Sequence, residues 1–326
     1  MVLDVIGIDS MPVVDFLMQV DVLPKTDEFI FAHNPSWQCG GKVPTAVAAL
    51  GRLGANAGMI GSVGDDRLGT YCIEDFKRCH VDVSHMVIHH GHTTTLSICL
   101  AEKSTQGRSF IGVHGSNPPL EPKDIPEDYI KSARYIHLSQ MEPAAIYGAK
   151  LAKKHGIQVV FDADFYMEST EKNLDLIDVF IASEIFYKKF FNDPELRCLK
   201  ENCTALRKRG PEIVVITLGA KGSVGIYADT WFESPGFKVA VADTTGAGDV
   251  YHGAFLYGLL NRYDIEYTAK FANAVSAIKC TRQGGRAGIP DLGAVNRFLK
   301  DGFIDYTDID KRVEFYQNGI WANTVC

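Results

Sequence analysis

No run in this chain approaches the roughly 18 consecutive apolar residues that a membrane-crossing helix needs, and no stretch is rich in lysine and arginine. The first absence argues against a spanning segment. The second, with a formal charge of −7, argues against a protein that grips a phosphate backbone, so neither membrane nor nucleic acid is an expected partner. The eight cysteines, at 39, 72, 79, 99, 198, 203, 280 and 326, include no Cys-x-x-Cys pair. They read as buried thiols of a reducing cytoplasm, not as a disulfide frame or zinc site. No basic stretch precedes an apolar one at the N-terminus, so no signal peptide is expected. Low-complexity tracts, long linkers and internal repeats do not stand out. What is present is the composition of a soluble globular protein: 326 residues, 46% hydrophobic and 22% charged, enough for one large α/β domain or two medium ones.

The hydrophobic pattern divides the chain. Residues 2–8, Val13–Val20 and 29–31 read as short strands. A helix over 44–53 shows Val47, Ala48, Leu50 and Leu53 on one face, with Gly54 at the stop. Residues 86–89, 94–101 and Arg108–Val113 are strand-like, and His89-His90-Gly91-His92 reads as a solvated turn between them, not a metal site. Beyond His114, strand and helix alternate. Tyr135–Leu138, 158–161, 179–182 and 213–218 are apolar runs of buried parallel-strand type, followed by strands over 222–228 and 237–241. Residues 249–260, 267–280 and 292–299 read as helices. The expected fold class is therefore α/β. Residues 1–10, 36–91 and 114–300 form a core, the strand-only excursions 11–35 and 92–113 form a small β lid, and 301–326 is an extension carrying Phe315, Tyr316 and Trp321.

The segment with the most chemistry is 242–260, ADTTGAGDVYHGAFLYGLL. Gly246 and Gly248 permit tight or left-handed backbone, letting successive N–H groups converge at a helix N-terminus, where negative charge is favoured. A phosphate or a phosphoryl group in transfer suits that place. There is no Gly-x4-Gly-Lys-Ser/Thr loop and no His-Arg-Asp or Asp-Phe-Gly set. Asp249 either complements the helix dipole or takes the proton of an attacking hydroxyl beside the glycine cradle. Gly253, Ala254 and Gly258 imply close packing, and packing is also the expected role of His252.

Residues 243–249 resemble throughout the C-terminal signature of the ribokinase-like (PfkB) sugar kinases, Asp-Thr-x-Gly-Ala-Gly-Asp ahead of an apolar helix. GGKVPTAVAALGRLG (40–54), followed by Ile60 to Asp66 and Leu68-Gly69, is similar to the family's N-terminal signature. Residues 216–222 resemble its nucleotide-side strand and turn, and Thr281-Arg282-Gln283-Gly284-Gly285 its late loop. The motifs fall in family order from about residue 3 to 300. The resemblance implies a three-layer α/β/α core with a mostly parallel sheet and a β lid. It implies ATP-dependent, magnesium-dependent phosphorylation of a sugar hydroxyl, with Gly246, Ala247 and Gly248 as anion hole and Asp249 as base. ATP would lie over Thr217, Gly219, Lys221 and Gly222, with Asn273 near the adenine. A potassium ion would be held, mostly by carbonyls, around Asp243, Thr245, Cys280, Gln283 and Gly285.

On the acceptor side the resemblance implies Asp15, with Asp9 as its rival, together with Gly40, Gly41, Lys42, Asn117 and Glu142. Pro44-Thr45 stands where Ala-Asn is common, so Thr45 is expected to replace an amide contact. An Asn-x-x-Glu motif tied to magnesium would fall at 183–186, where Ser183-Glu184-Ile185-Phe186 offers Glu184 as a substitute. Lys103 and Arg108 near the lid read as solvated. With no Lys/Arg cluster to meet an anionic acceptor, a neutral sugar such as fructose or ribose is favoured. Relatives often pair through the lid, implying a homodimer. An adenosine-type nucleoside kinase and a catalytically silent sugar- or nucleotide-sensing protein remain alternatives. A dinucleotide oxidoreductase needs Gly-x-Gly-x-x-Gly after the first strand, which residues 7–12 do not supply.

Overall fold

The computed structural model describes residues 2–105 and 107–319. In chain order its strands are β1 (Val5–Asp9), β2 (Val13–Val20), β3 (His33–Gly40), β4 (Ala57–Gly64), β5 (Val81–Asp82), β6 (Val87–His89), β7 (Leu96–Glu102), β8 (Arg108–Val113), β9 (Tyr135–Leu138), β10 (Gln158–Ala163), β11 (Val179–Ser183), β12 (Ile213–Thr217), β13 (Gly222–Tyr227) and β14 (Thr230–Pro235). The large sheet runs β14-β13-β12-β11-β10-β9-β1-β4-β5, with β6 added beside β4. Its pairs are parallel except for β12–β13 and β13–β14. Fully buried strands need apolar residues on both faces, and alternate residues divide between two cores. Val5, Val160 and Val215 pack on one side, among the helices Lys42–Leu53, Ala247–Leu260 and Ile265–Lys279. Ile6, Phe161 and Val214 pack on the other, against the helix Pro143–Lys154. This is the three-layer α/β arrangement.

The strand order reverses between β1 and β9, the place where an open α/β sheet leaves a crevice beyond its carboxyl ends. Asp9, Asp162, Ser183 and Thr217 lie at the C-terminal ends of β1, β10, β11 and β12. Both strand-only excursions meet in a second, four-stranded sheet ordered β3-β2-β7-β8. Its central pair, β2 with β7, is parallel, with Asp15 opposite Ser97.

Two expected strands are absent. Residues 29–31 are open chain, with Phe29 and Phe31 about 80% exposed and in edge contact with each other. The partner of β2 is His33–Gly40, which therefore carries the lid sheet five residues past 35. Residues 237–241 are also open chain, because Thr230–Pro235 already occupies the sheet edge beside β13. Phe237 instead packs on Phe298, ring centres 5.1 Å apart.

The extension belongs to the packed body as far as residue 319, while Trp321 lies outside the described residues. The helix Thr307–Asn318 lies against β3. From it Tyr316 donates to Asp75 (2.6 Å) and Arg312 to the carbonyl of Arg286 (3.1 Å). Asp75 also pairs with the fully buried Arg286 guanidinium. A buried ion pair repays its desolvation better when further hydrogen bonds satisfy it, and Tyr316 supplies one to Asp75. Replacing Tyr316 by Phe should lower the unfolding free energy by about 1–3 kcal/mol, read as a shifted urea midpoint.

Candidate functional site

The glycine loop sits at the start of the helix Ala247–Leu260, with Gly246 as its N-cap in the left-handed region (φ 72°). That conformation is easy for glycine alone. A Cβ there would also come within 2.9 Å of the Cα of Gly285, so loop and late loop meet backbone to backbone. Gly248 differs from expectation. It is helical, its φ is not positive, and beyond its own helix backbone a Cβ would meet nothing within 4 Å. Its lack of a side chain leaves space in front of the helix rather than permitting a turn.

That space opens two ways. A mainly apolar cavity of about 220 Å³ is lined by Thr217, Gly219, Gly222, Val241, Tyr251 and Asn273, among others. Of the expected nucleotide contacts, Lys221 alone is missing from this wall. Asn273 donates to the Ser234 carbonyl (3.0 Å) and hydroxyl (2.9 Å), so its amide holds β14 in place. A second cavity of about 360 Å³ is lined by Lys42, Arg108, Asp162, Asp164, Asp249 and His252. Thr217, Thr244, Ala247 and Gly248 border both. The glycine loop thus stands between an apolar pocket and an acidic one.

Asp249 is in the first turn of its helix. Burial, and then the neighbouring Asp162, push its proton affinity well above the usual carboxylate range, with Lys42 pulling the other way. Burial likewise raises Asp162 to about 6. His252 touches Asp162 at 3.4 Å, and burial depresses its pKa to about 3, so the ring is neutral. Lys42 reaches Asp164 (3.0 Å) and lies over the Phe165 ring. Such a carboxyl, between a cation and a space that can admit a hydroxyl, is suited to accept a proton.

The expected acceptor residues Asp9, Asp15, Gly41 and Lys42 fall along β1, β2 and the start of the helix Lys42–Leu53. Asp9 and Glu142 face a smaller recess with Ser10 and Ser139. Asp9 accepts from the Met11 N–H (2.9 Å), and burial lifts it to about 6. Glu142 accepts from Ser10 (3.1 Å). Asp15 lies on the lid strand against Gly40, where a Cβ would collide with its carboxylate, and burial raises it to about 6 as well. Gly41 begins the helix Lys42–Leu53 with φ 92°. Thr45 is buried beneath that turn. Asn117 donates to the carbonyl (3.1 Å) and hydroxyl (3.0 Å) of Ser62. Glu184 pairs with Lys188 of its own helix (2.5 Å), and the acidic cavity is lined by Ser183, not by Glu184.

Around Asp243 the structure adds side chains that sequence reasoning passed over. Its carboxylate accepts from the Thr245 N–H (2.9 Å) and hydroxyl (2.8 Å) and from the Gly284 N–H (2.8 Å). Arg108, expected to be solvated, crosses from the lid to Asp243 (3.2 Å) and Thr245 Oγ1 (2.5 Å). Lys279, fully buried, donates to the carbonyls of Asp243 (3.1 Å) and Thr245. Asp162 and Asp164 had a readable signal: acids closing the apolar run 158–161, at the end of a parallel strand.

The family model described as pfkB family carbohydrate kinase matches residues 4–292. An ATP-dependent ribose-1-phosphate kinase of Halopiger xanaduensis is 30% identical over 296 residues, covering 89% of this chain and 96% of its own. A 5-dehydro-2-deoxygluconokinase of Clostridium perfringens is 30% identical over 303 residues, covering 86% and 89%. The structure of Arabidopsis thaliana ribokinase complexed with ribose and ATP superimposes with a TM-score of 0.78 at 23% identity, covering 92% of this chain and 99% of that one.

The acidic cavity implies a measurable cost. Because burial raises Asp162 above its unfolded value, the native state loses stability as pH climbs from about 4 through about 6 and the group ionises. Asp162→Asn removes that loss. Its stability relative to wild type should therefore be higher at about pH 8 than at about pH 4, by urea midpoints at each pH.

Proposed function

Since this chain belongs to the pfkB family of carbohydrate kinases, we propose that it transfers the terminal phosphoryl group of ATP to a hydroxyl of a neutral sugar in the cavity before Asp249. The observation that carries the reading is the raised proton affinity of Asp249 at the start of a helix whose glycine loop borders both cavities. The apolar cavity takes the nucleotide, with Thr217, Gly219, Gly222 and Asn273 on its wall. The open space before Gly248 leaves room for phosphate oxygens against the helix N-terminus.

Asp249 accepts the proton as the acceptor oxygen attacks, and its burial makes it a better proton acceptor than an exposed carboxylate. The N–H groups at the start of its helix face the charge that gathers on the transferring group. Lys42 contributes a positive charge in the same cavity. Magnesium takes one or two carboxylates and lets phosphates fill its other positions. Asp164, half-buried and with its carboxylate bound only by Lys42 among the contacts described, would hold it, where it would neutralise phosphate charge. Both cations of the cavity already have carboxylates, Lys42 in Asp164 and Arg108 in Asp243. We take this placement of each cation against a carboxylate as support for a neutral polyol.

We also propose a twofold homodimer through the lid. Among the described residues its outer strand β8 is unpaired on one edge, and Phe29, Phe31, Ile111 and Val113 are more than half exposed. Apolar edges of this kind are an association hazard unless covered.

ADP release should be fastest with fructose or ribose in a panel that includes ribose 1-phosphate, 5-dehydro-2-deoxygluconate and adenosine. A clear preference for either anionic sugar or for adenosine would reject the neutral-sugar reading. With the preferred acceptor, Asp249→Asn should keep the fold and lose about 10²–10⁴ in turnover; retention of more than about a tenth of the rate would remove Asp249 from the base role. Sedimentation at micromolar concentration should give a dimer, and a fully active monomer would defeat the lid pairing.

A further inference from the structure

The resemblance implied a potassium ion around Asp243, Thr245, Cys280, Gln283 and Gly285. At four of these five positions the carbonyl that would ligate it is already engaged. The carbonyls of Asp243 and Thr245 both take the ammonium of Lys279. The carbonyl of Cys280 accepts from the N–H groups of Ala242 (2.8 Å) and Asp243 (3.1 Å). The carbonyl of Gln283 accepts from the Gln38 side chain (2.9 Å). A potassium ion among these oxygens would compete with donors already bound to them and sit beside a buried like charge.

We propose that the Lys279 ammonium is a tethered replacement for the monovalent cation, so that this enzyme works without potassium. An ammonium and a potassium ion make the same demand of a protein, a single positive charge surrounded by oxygen atoms. Lys279 is fully buried and its two carbonyl partners flank Thr244, at the root of the glycine loop. The Asp243 carboxylate, beside the same loop, balances its charge. Although burial opposes it, the nearby Lys279 charge and the Thr245 and Gly284 N–H groups hold that carboxyl below its ordinary value. One turn earlier on the same helix, Ser276 donates to the carbonyl of Ala247 (2.8 Å). A single helix face therefore fixes both ends of the loop, with no ion to be recruited from solution.

The inference rests on the kinase reading for its activity arm, and a second arm is independent of it. In the first, ADP release is measured with the preferred sugar in potassium chloride and in tetramethylammonium chloride at equal ionic strength. The rates should agree within about twofold, and stimulation by potassium of more than about tenfold would overturn the proposal. In the second, thermal unfolding is followed in the same two salts without substrates. The wild type should show the same midpoint in both, whereas a specific upward shift in potassium would mean that the ion binds the native state and would overturn the proposal. Lys279→Ala vacates the carbonyls, and this variant should acquire a potassium-specific rise in midpoint. Its failure to do so while folded would show that the oxygens are no cation cage and would also overturn it. Should Lys279→Ala not fold, the wild-type midpoints decide alone. If no acceptor in the panel is phosphorylated, the kinase reading fails while the thermal arm still decides the cation question.

Discussion

An ammonium group cannot stay buried unless oxygen atoms surround it, and Lys279 meets that requirement with the backbone of the glycine loop itself. The arrangement around it ties four parts of the chain together. Lys279 closes the helix Ile265–Lys279, and Asp243 and Thr245 open the loop. Gly284 brings in the late loop, and Arg108 brings in the lid. Asp249 follows within six residues of Asp243, so the position of the proton acceptor is inherited from this junction. Gln38 at the base of the lid adds a second tie, accepting from the N–H groups of Arg286 and Ala287 (2.9 and 3.0 Å). Lid, loop and late loop therefore share one set of fixed points.

The acidic cavity works in the opposite sense. Asp162 and Asp249 are held where burial disfavours their charged forms. His252 and His137 lie with ring centres 5.6 Å apart, and each has one buried nitrogen with no hydrogen-bond partner. A core built only for stability would carry none of this. Groups held against their preferred charge often mark sites that do chemistry, and these four lie at β9, β10 and the first turns of the helix that bears Asp249.

Much of the architecture was legible because it depends on local pattern. Buried parallel strands declare themselves as apolar runs, and β2, β8 and β9 have the limits the sequence suggested. The glycine loop was legible as a motif because anion binding needs particular residues in a row. What failed depended on partners distant in sequence. The chemistry of residues 29–31 and 237–241 suits strands, yet each lies where another segment has already taken the available edge. Gly248 has none of the left-handed backbone its motif allowed, and its missing side chain leaves open space in front of the helix. Lys279 and Arg108 look like ordinary surface cations in the sequence, since nothing local says that carbonyls and a carboxylate await them.

The lid's topology also constrains how the protein is made. Its central pair joins β2 to β7, with Asp15 opposite Ser97, so partners lie about 80 residues apart. A ribosome adding roughly 5–20 residues per second delivers β7 several seconds after β2 and β3 have emerged. During that interval the early hairpin has Val14, Leu17 and Val20, all buried in the finished protein, without their later cover. The half-built lid is thus an apolar surface that the nascent chain shows to its surroundings until β7 arrives.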